Sequence, residues 1–364
     1  MASVLMERRF LVIRTARQVA AAQAFADWSE NERQQLLNAL TRRRFTATAA
    51  TLAALFGLPA ASHAQTPAAT PNDGPRTIET VYGPVDVPAF PTRVVCIDSY
   101  SIAALVDTGL VPIGIPEIDL DSYIATYKDA LQDVPTVGSY QGIDVEQIKV
   151  LNPEVILAIN APWATDIHDQ LAAIAPTVVF DYDVPNAWQV LADQFTYAIG
   201  RETLLDEVKA HYAARTSEIA TTYADTLAAT TWAVAIGWGA ADNQYTLYYP
   251  DSAPGLILTD LGARFIAAAA GKSGGNEQFS YERLSLLEDA DVLLTYGPRE
   301  GEPVEDSVAM IEQPLFQALK VAQTGEIYAI TNIITGSYGD ALNFIDKIES
   351  IIQHLAGADA TPTA

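Results

Sequence analysis

The stretch VGSYQGIDVEQIKVLNPEVILAI (residues 137–159) reads as a loop, a short helix and a buried strand. Asp144 is placed to cap the helix, and Gln147 three positions on completes a capping-box pattern. Ile148 and Leu151 give a short apolar stripe, and Pro153 ends the helix before the strand VILAI. Glu146 falls in the first turn, where exposed amide groups favour a negative charge by about 0.3–1 kcal/mol. The pattern returns in FSYERLSLLEDADVLLTYG (279–297). There Ser280 caps in place of Asp144, Glu282 stands for Glu146, and Leu284 and Leu287 replace Ile148 and Leu151, with one extra residue before the strand. Helix electrostatics accounts for one such glutamate. Two in matching settings predict two similar lobes, each presenting a carboxylate.

Around these two segments, strand and helix signals alternate. Short apolar runs at VVCID (94–98), VPIGI (111–115), EVILAI (154–159) and TVVFDY (177–182) are separated by amphipathic stretches. Such alternation predicts a mostly parallel sheet covered by helices. From Arg201 to Ala228 there is no glycine or proline, and Leu204, Val208, Tyr212, Ile219, Tyr223 and Leu227 share one face, so a single long helix is expected there. A second set, TWAVAIGW (231–238), DADVLLTYG (289–297) and EIYAIT (326–331), follows. The organisation expected is an α/β lobe over 77–200, an inter-lobe helix over 201–228 and an α/β lobe over 229–357. A leader at 65–76 and a tail at 358–364 read as flexible.

The segment TRRRFTATAATLAALFGLPAASHAQ (41–65) has an arginine cluster, a short apolar run and small residues at Ser62 and Ala64. It reads as an export signal of twin-arginine type, with cleavage after Ala64 and residues 1–40 unusually long for a leader. The run from Thr46 to Leu58 is shorter than the roughly 20 residues a membrane span needs. The chain holds 21 basic and 45 acidic residues; eight and four of these lie in 1–64, leaving 13 against 41. So acidic a body repels nucleic acid and anionic lipid surfaces. Cys96, the only cysteine, lies in an apolar run and reads as a core thiol; it can build neither a disulfide nor a metal site.

The lead-in YGPVDVPAFPTRVVCID, the two glutamate segments and the long helix together resemble the exported substrate-binding proteins of iron–siderophore, haem and cobalamin ABC importers. The resemblance covers 77–356. It implies two α/β lobes joined by one rigid helix, a ligand cleft between them, and a ferric siderophore as the leading ligand, with cobalamin or haem as the alternative. One glutamate per lobe, here Glu146 and Glu282, would dock on arginines of the permease dimer, which works with its ATPase. A monomer with no covalently bound cofactor, in the periplasm or on the outer cell surface, is implied as well.

Ligands of open α/β folds bind beyond the carboxyl ends of the strands. The residues there are Ser99, Tyr100, Tyr140, Gln141 and Trp163 in the first half, and Trp238, Tyr248, Tyr296, Arg299 and Tyr338 in the second, with Arg264 in LGARF a further candidate. Aromatic side chains suit a bulky chelate, and one or two arginines would neutralise an anionic one.

Other chemistries lack their parts. AAAAGKSGG (267–275) has Ile266 where a phosphate loop needs its first glycine. His63, His168, His211 and His354 show no metal-ligand spacing, and no serine sits in a G-x-S-x-G elbow. A secreted two-lobed enzyme, the reading from another class, would need paired titratable groups converging in the cleft. No catalytic residue and no protein metal site is expected.

Overall fold

A computed structural model of the chain describes residues 74–359, apart from 121, 122, 124, 239, 300, 332, 334 and 335. The expected export signal and most of the expected leader and tail lie outside the described residues. Two strands, β1 (Arg76–Thr80) and β2 (Gly83–Val87), form an antiparallel hairpin. The first sheet is parallel, with β3 (Val94–Cys96), then β6 (Val155–Ile159), then β7 (Thr177–Phe180) side by side. Between β3 and β6 lies a two-stranded hairpin, β4 (Gly138–Ser139) and β5 (Gly142–Ile143), whose turn carries Tyr140 and Gln141. Every residue of β3, β6 and β7 is buried, as continuous Val/Ile/Leu runs covered on both faces should be.

The second sheet has six strands: β8 (Thr231–Ile236), β9 (Gln244–Tyr248), β10 (Arg264–Phe265), β11 (Asn276–Ser280), β12 (Val292–Tyr296) and β13 (Ile327–Ile330). Their order is β11-β9-β8-β12-β13, with β10 on β8. The sheet is mostly parallel, as expected, with one reversed strand: β9 runs antiparallel to both β8 and β11, while β8, β10, β11, β12 and β13 point the same way. Only a short turn through Asn243, at φ 54°, links β8 to β9, and a parallel pair would need a crossover of a dozen residues. The run VPIGI likewise makes isolated bridges, Val95 with Gly114 and Ile115 with Thr136, instead of a strand.

The single long helix is also corrected. Glu202–Thr222 is one helix; Tyr223 (φ −115°, ψ 26°) interrupts it, and Ala224–Ala229 resumes. Its buried stripe is Leu205, Val208, Tyr212, Arg215, Thr216 and Ile219, so Leu205 replaces the expected Leu204. That stripe lies in the core of the second sheet, beside the C-terminal helix Tyr338–Asp359. The preceding helix, Ala187–Ala198, is the one that enters both cores. Its Trp188 and Ala192 join the second, and its Leu191, Phe195 and Ala198 the first.

A buried polar knot ties the two halves together. Asp107 accepts from the Tyr127 hydroxyl (2.5 Å) and, through its other oxygen, from the Gly339 amide (2.8 Å), while Tyr127 also bonds Ser337 (2.5 Å). A Cβ at position 339 would fall on the Asp107 carboxylate and within 2.6 Å of the Tyr127 hydroxyl. Gly339→Ala is therefore expected to destabilise the chain by about 1–3 kcal/mol, the usual range for overpacking. Urea unfolding with an unchanged m-value checks it.

Candidate functional site

The first carboxyl edge is organised by Asp98. It caps the helix Ser99–Asp107, accepting from the Ser101 amide (2.9 Å) and hydroxyl (2.7 Å) while fully buried. Burial pushes its carboxyl up from 3.8 to about 6, and bonds from Ser101, Tyr100 and Ile159 only partly oppose this. A carboxyl whose folded value is raised contributes stability at low pH that is lost as pH rises through it. Between pH 4 and 6 this component falls by about 2 kcal/mol. Asp98→Asn should remove that slope, and comparing the two proteins by denaturant unfolding at pH 4.5 and 6.5 isolates it from the relief of net acidic repulsion they share.

Around Asp98 stand the aromatics. Tyr100 is half-buried and packs against both cores, touching the first sheet and the second. Tyr140, on the β4–β5 turn, packs on Trp163 at 4.9 Å, and the Trp163 indole donates to the Ile97 carbonyl (3.0 Å). Burial raises the phenols of Tyr100 and Tyr140, and the Asp98 charge adds to both shifts. Two further tyrosines belong here that the sequence reading omitted. Tyr123 packs against the first core, and its phenol is raised by burial and then by Asp340 and Asp98. Tyr182, 44% exposed, acts on Tyr100 from just after β7. The rule that found Trp163, one aromatic past a strand's carboxyl end, would have found Tyr182 too.

At the second edge, Trp238 follows β8 and donates its indole N–H to the Tyr248 hydroxyl (3.1 Å). Its ring lies 5.4 Å from that of Tyr296, the last residue of β12. Arg299 stands on the loop after β12, exposed, with Glu302 at 3.9 Å. Ser99 and Gln141 are exposed at the first edge.

Two expected residues lie elsewhere. Arg264 binds the Ala228 carbonyl and the Thr231 hydroxyl, at the amino end of β8, because β10 pairs with the start of that strand. Tyr338 is 6% exposed and wedged between Trp188 (4.9 Å) and Tyr212 (5.5 Å) in the second core. Loop residues in sequence become core residues when the next helix begins with them.

The two glutamates share a setting but not all its details. Asp144 caps the helix Val145–Leu151 through the Gln147 amide (3.0 Å), and Glu146 is exposed in its first turn, 4.0 Å from Lys149. Ser280 has the extended backbone of a cap but bonds no amide with its side chain, and Tyr281–Leu287 is a 3₁₀ helix. Glu282 is exposed there, on a groove of about 370 Å³ with Glu288, Leu315 and Lys320. Leu315 is 55% exposed, and Val150, one helical turn past Glu146, is 77% exposed. A second groove, about 490 Å³, lies by Tyr82 and His168, whose rings stack at 3.7 Å, away from the aromatic set. The glycine loop is closed by the protein itself: the Gly274 and Gly275 amides donate to Asp251 (2.7 and 3.0 Å).

Residues 94–333 match the sequence profile of the periplasmic binding protein family, from β3 to just beyond β13, so the match takes in both sheets. The chain belongs to that family. It is 26% identical over 288 residues to the probable siderophore-binding lipoprotein YfiY of Bacillus subtilis, covering 76% of this chain and 87% of the relative. It is 26% identical over 216 residues to the ferric enterobactin-binding periplasmic protein FepB of Escherichia coli, covering 57% and 66%. The siderophore periplasmic binding protein of the fuscachelin gene cluster of Thermobifida fusca superposes with a TM-score of 0.62 at 27% identity, covering 74% of this chain and 98% of that one. A periplasmic binding protein is a transporter component and not an enzyme.

Proposed function

We propose that this chain captures a ferric siderophore between the carboxyl edges of its two sheets and delivers it to an ABC importer. In this reading the halves act as lobes over 77–200 and 229–357, held by the helices through 187–229 and by the Asp107 knot. The observation that carries it is the pairing of two aromatic edges: Tyr100, Tyr123, Tyr140 and Trp163 on one side, Trp238, Tyr248 and Tyr296 on the other. Such rings offer flat apolar surface with a polar tip, suited to the organic shell of a chelate. Burial raises the phenols of Tyr100, Tyr123 and Tyr140, so in the absence of a metal they stay protonated and can donate hydrogen bonds to a chelate's oxygen atoms.

Export through the twin-arginine route follows from Thr41–Phe45, and delivery from Glu146 and Glu282. Each glutamate stands beside an exposed apolar residue, Val150 or Leu315, and would meet an arginine of one permease subunit. The test is tryptophan quenching of residues 65–364 against ferric chelates, cobalamin and haem. Saturable quenching by an iron chelate at micromolar concentration or below supports the reading; quenching by cobalamin or haem alone overturns it.

A further inference from the structure

The residues that directly follow the carboxyl ends of β3, β6, β7, β8, β11, β12 and β13 include two cations, Arg283 and Arg299, against Asp98, Asp181, Asp183 and Glu282. Arg299 is exposed with Glu302 at 3.9 Å, and the Arg283 guanidinium lies over the Phe279 ring. Three other cations sit at the opposite edge. Arg93 binds the carbonyls of Leu151 and Asn152 next to the amino end of β6, Arg264 holds the start of β8, and Lys320 pairs with Asp291 just before β12. On the long helix, Lys209 and Arg215 are engaged by Asp193, Asp346 and Glu349. The charged groups acting on the site's phenols are acids: Asp98 on Tyr100 and Tyr140, and Asp340 with Asp98 on Tyr123.

An anionic chelate entering this site would lose its hydration beside four carboxylates, with two arginines, Arg283 and Arg299, to meet it. Buried charge without a partner is strongly disfavoured, and like charges brought together across an interface add to that. A neutral chelate meets rings and phenol donors without that penalty. A cationic one gains from the surrounding acids, as it does from the strongly acidic body as a whole.

We infer that the site selects ferric chelates of zero or positive net charge, of the tris-hydroxamate kind, over anionic citrate or catecholate complexes. This rests on the siderophore reading above and narrows it.

The test titrates the full mature chain with four probes at constant pH: ferrichrome (neutral), ferrioxamine B (cationic), ferric citrate and ferric enterobactin (both anionic). The better of the first two should bind at least about tenfold tighter than either anionic probe. Its affinity, if neutral, should change less than about twofold between low and physiological salt. Gln141→Arg, which adds a cation at the exposed hairpin tip beside Tyr140, should narrow the gap by improving anionic probes. Tightest binding of an anionic probe overturns the inference and leaves the siderophore reading standing. Binding of none of the four, with cobalamin or haem bound instead, overturns both.

Discussion

Arg215→Leu is expected to lower the unfolding free energy by about 3–5 kcal/mol, the loss typical of breaking a buried ion cluster from one side. Arg215 is 7% exposed on the long helix and reaches Glu218 (2.8 Å), Glu349 (2.7 Å) and Asp346 (3.3 Å). Burial works against its charge, yet the hydrogen bonds and charges of Glu349, Glu218 and Asp346 outweigh it and raise its pKa above the ordinary arginine value. Removing the guanidinium takes a charged hydrogen-bond donor away from Asp346 and Glu349, only 14% and 12% exposed. Glu218, 64% exposed, contributes little. At about 2 °C per kcal/mol for a chain of this size, the melting temperature should fall by roughly 6–10 °C. Differential scanning calorimetry measures it; a loss under 1 kcal/mol would mean that water already screens the cluster. The effect should reach function, because the same C-terminal helix begins with the Gly339 contact to Asp107.

Reversing both docking charges should have the second large effect. In Glu146→Arg/Glu282→Arg, ligand affinity should stay within about twofold, since both side chains are exposed in the first turns of their helices. The concentration of loaded protein giving half-maximal ATPase stimulation of the reconstituted importer should rise at least about tenfold, because like charges then meet where a carboxylate met an arginine. Double alanine substitution should fall between. Full stimulation by the double-arginine protein would leave the two glutamates as helix-start residues, worth fractions of a kcal/mol each.

Much of this was legible in the sequence because it rests on local rules. Asp144 caps its helix because a carboxylate at that position satisfies the Gln147 amide, whatever lies elsewhere. Trp163 and Trp238 end up at the carboxyl edges because each follows a continuous apolar strand. What failed depended on partners distant in the chain. Tyr338 is drawn into the core by Trp188 and Tyr212, and nothing near TGSYGD signals either ring. Arg264 is taken by Thr231 because β10 pairs in register with the start of β8, a choice made by the sheet. Tyr223 interrupts a helix free of glycine and proline, in a setting where its hydroxyl accepts from Gln353, 130 residues later. The Arg215 cluster was hidden for a related reason: a basic residue on a helix is read as solvated until three acids are brought to it.

The central claim is that a chelate sits against the aromatic edges, and Trp238 is the residue to test. Its ring packs tilted against Tyr296 and its N–H donates to the Tyr248 hydroxyl, so it is half-buried and fixed before any ligand arrives. Isothermal titration of the best-binding ferric chelate into the native protein and into Trp238→Ala is the direct measurement. The account predicts at least about 1 kcal/mol of lost binding, a fivefold or greater rise in Kd, with the fold unchanged by circular dichroism. Equal affinity in the two proteins would contradict it and move the ligand away from the second edge.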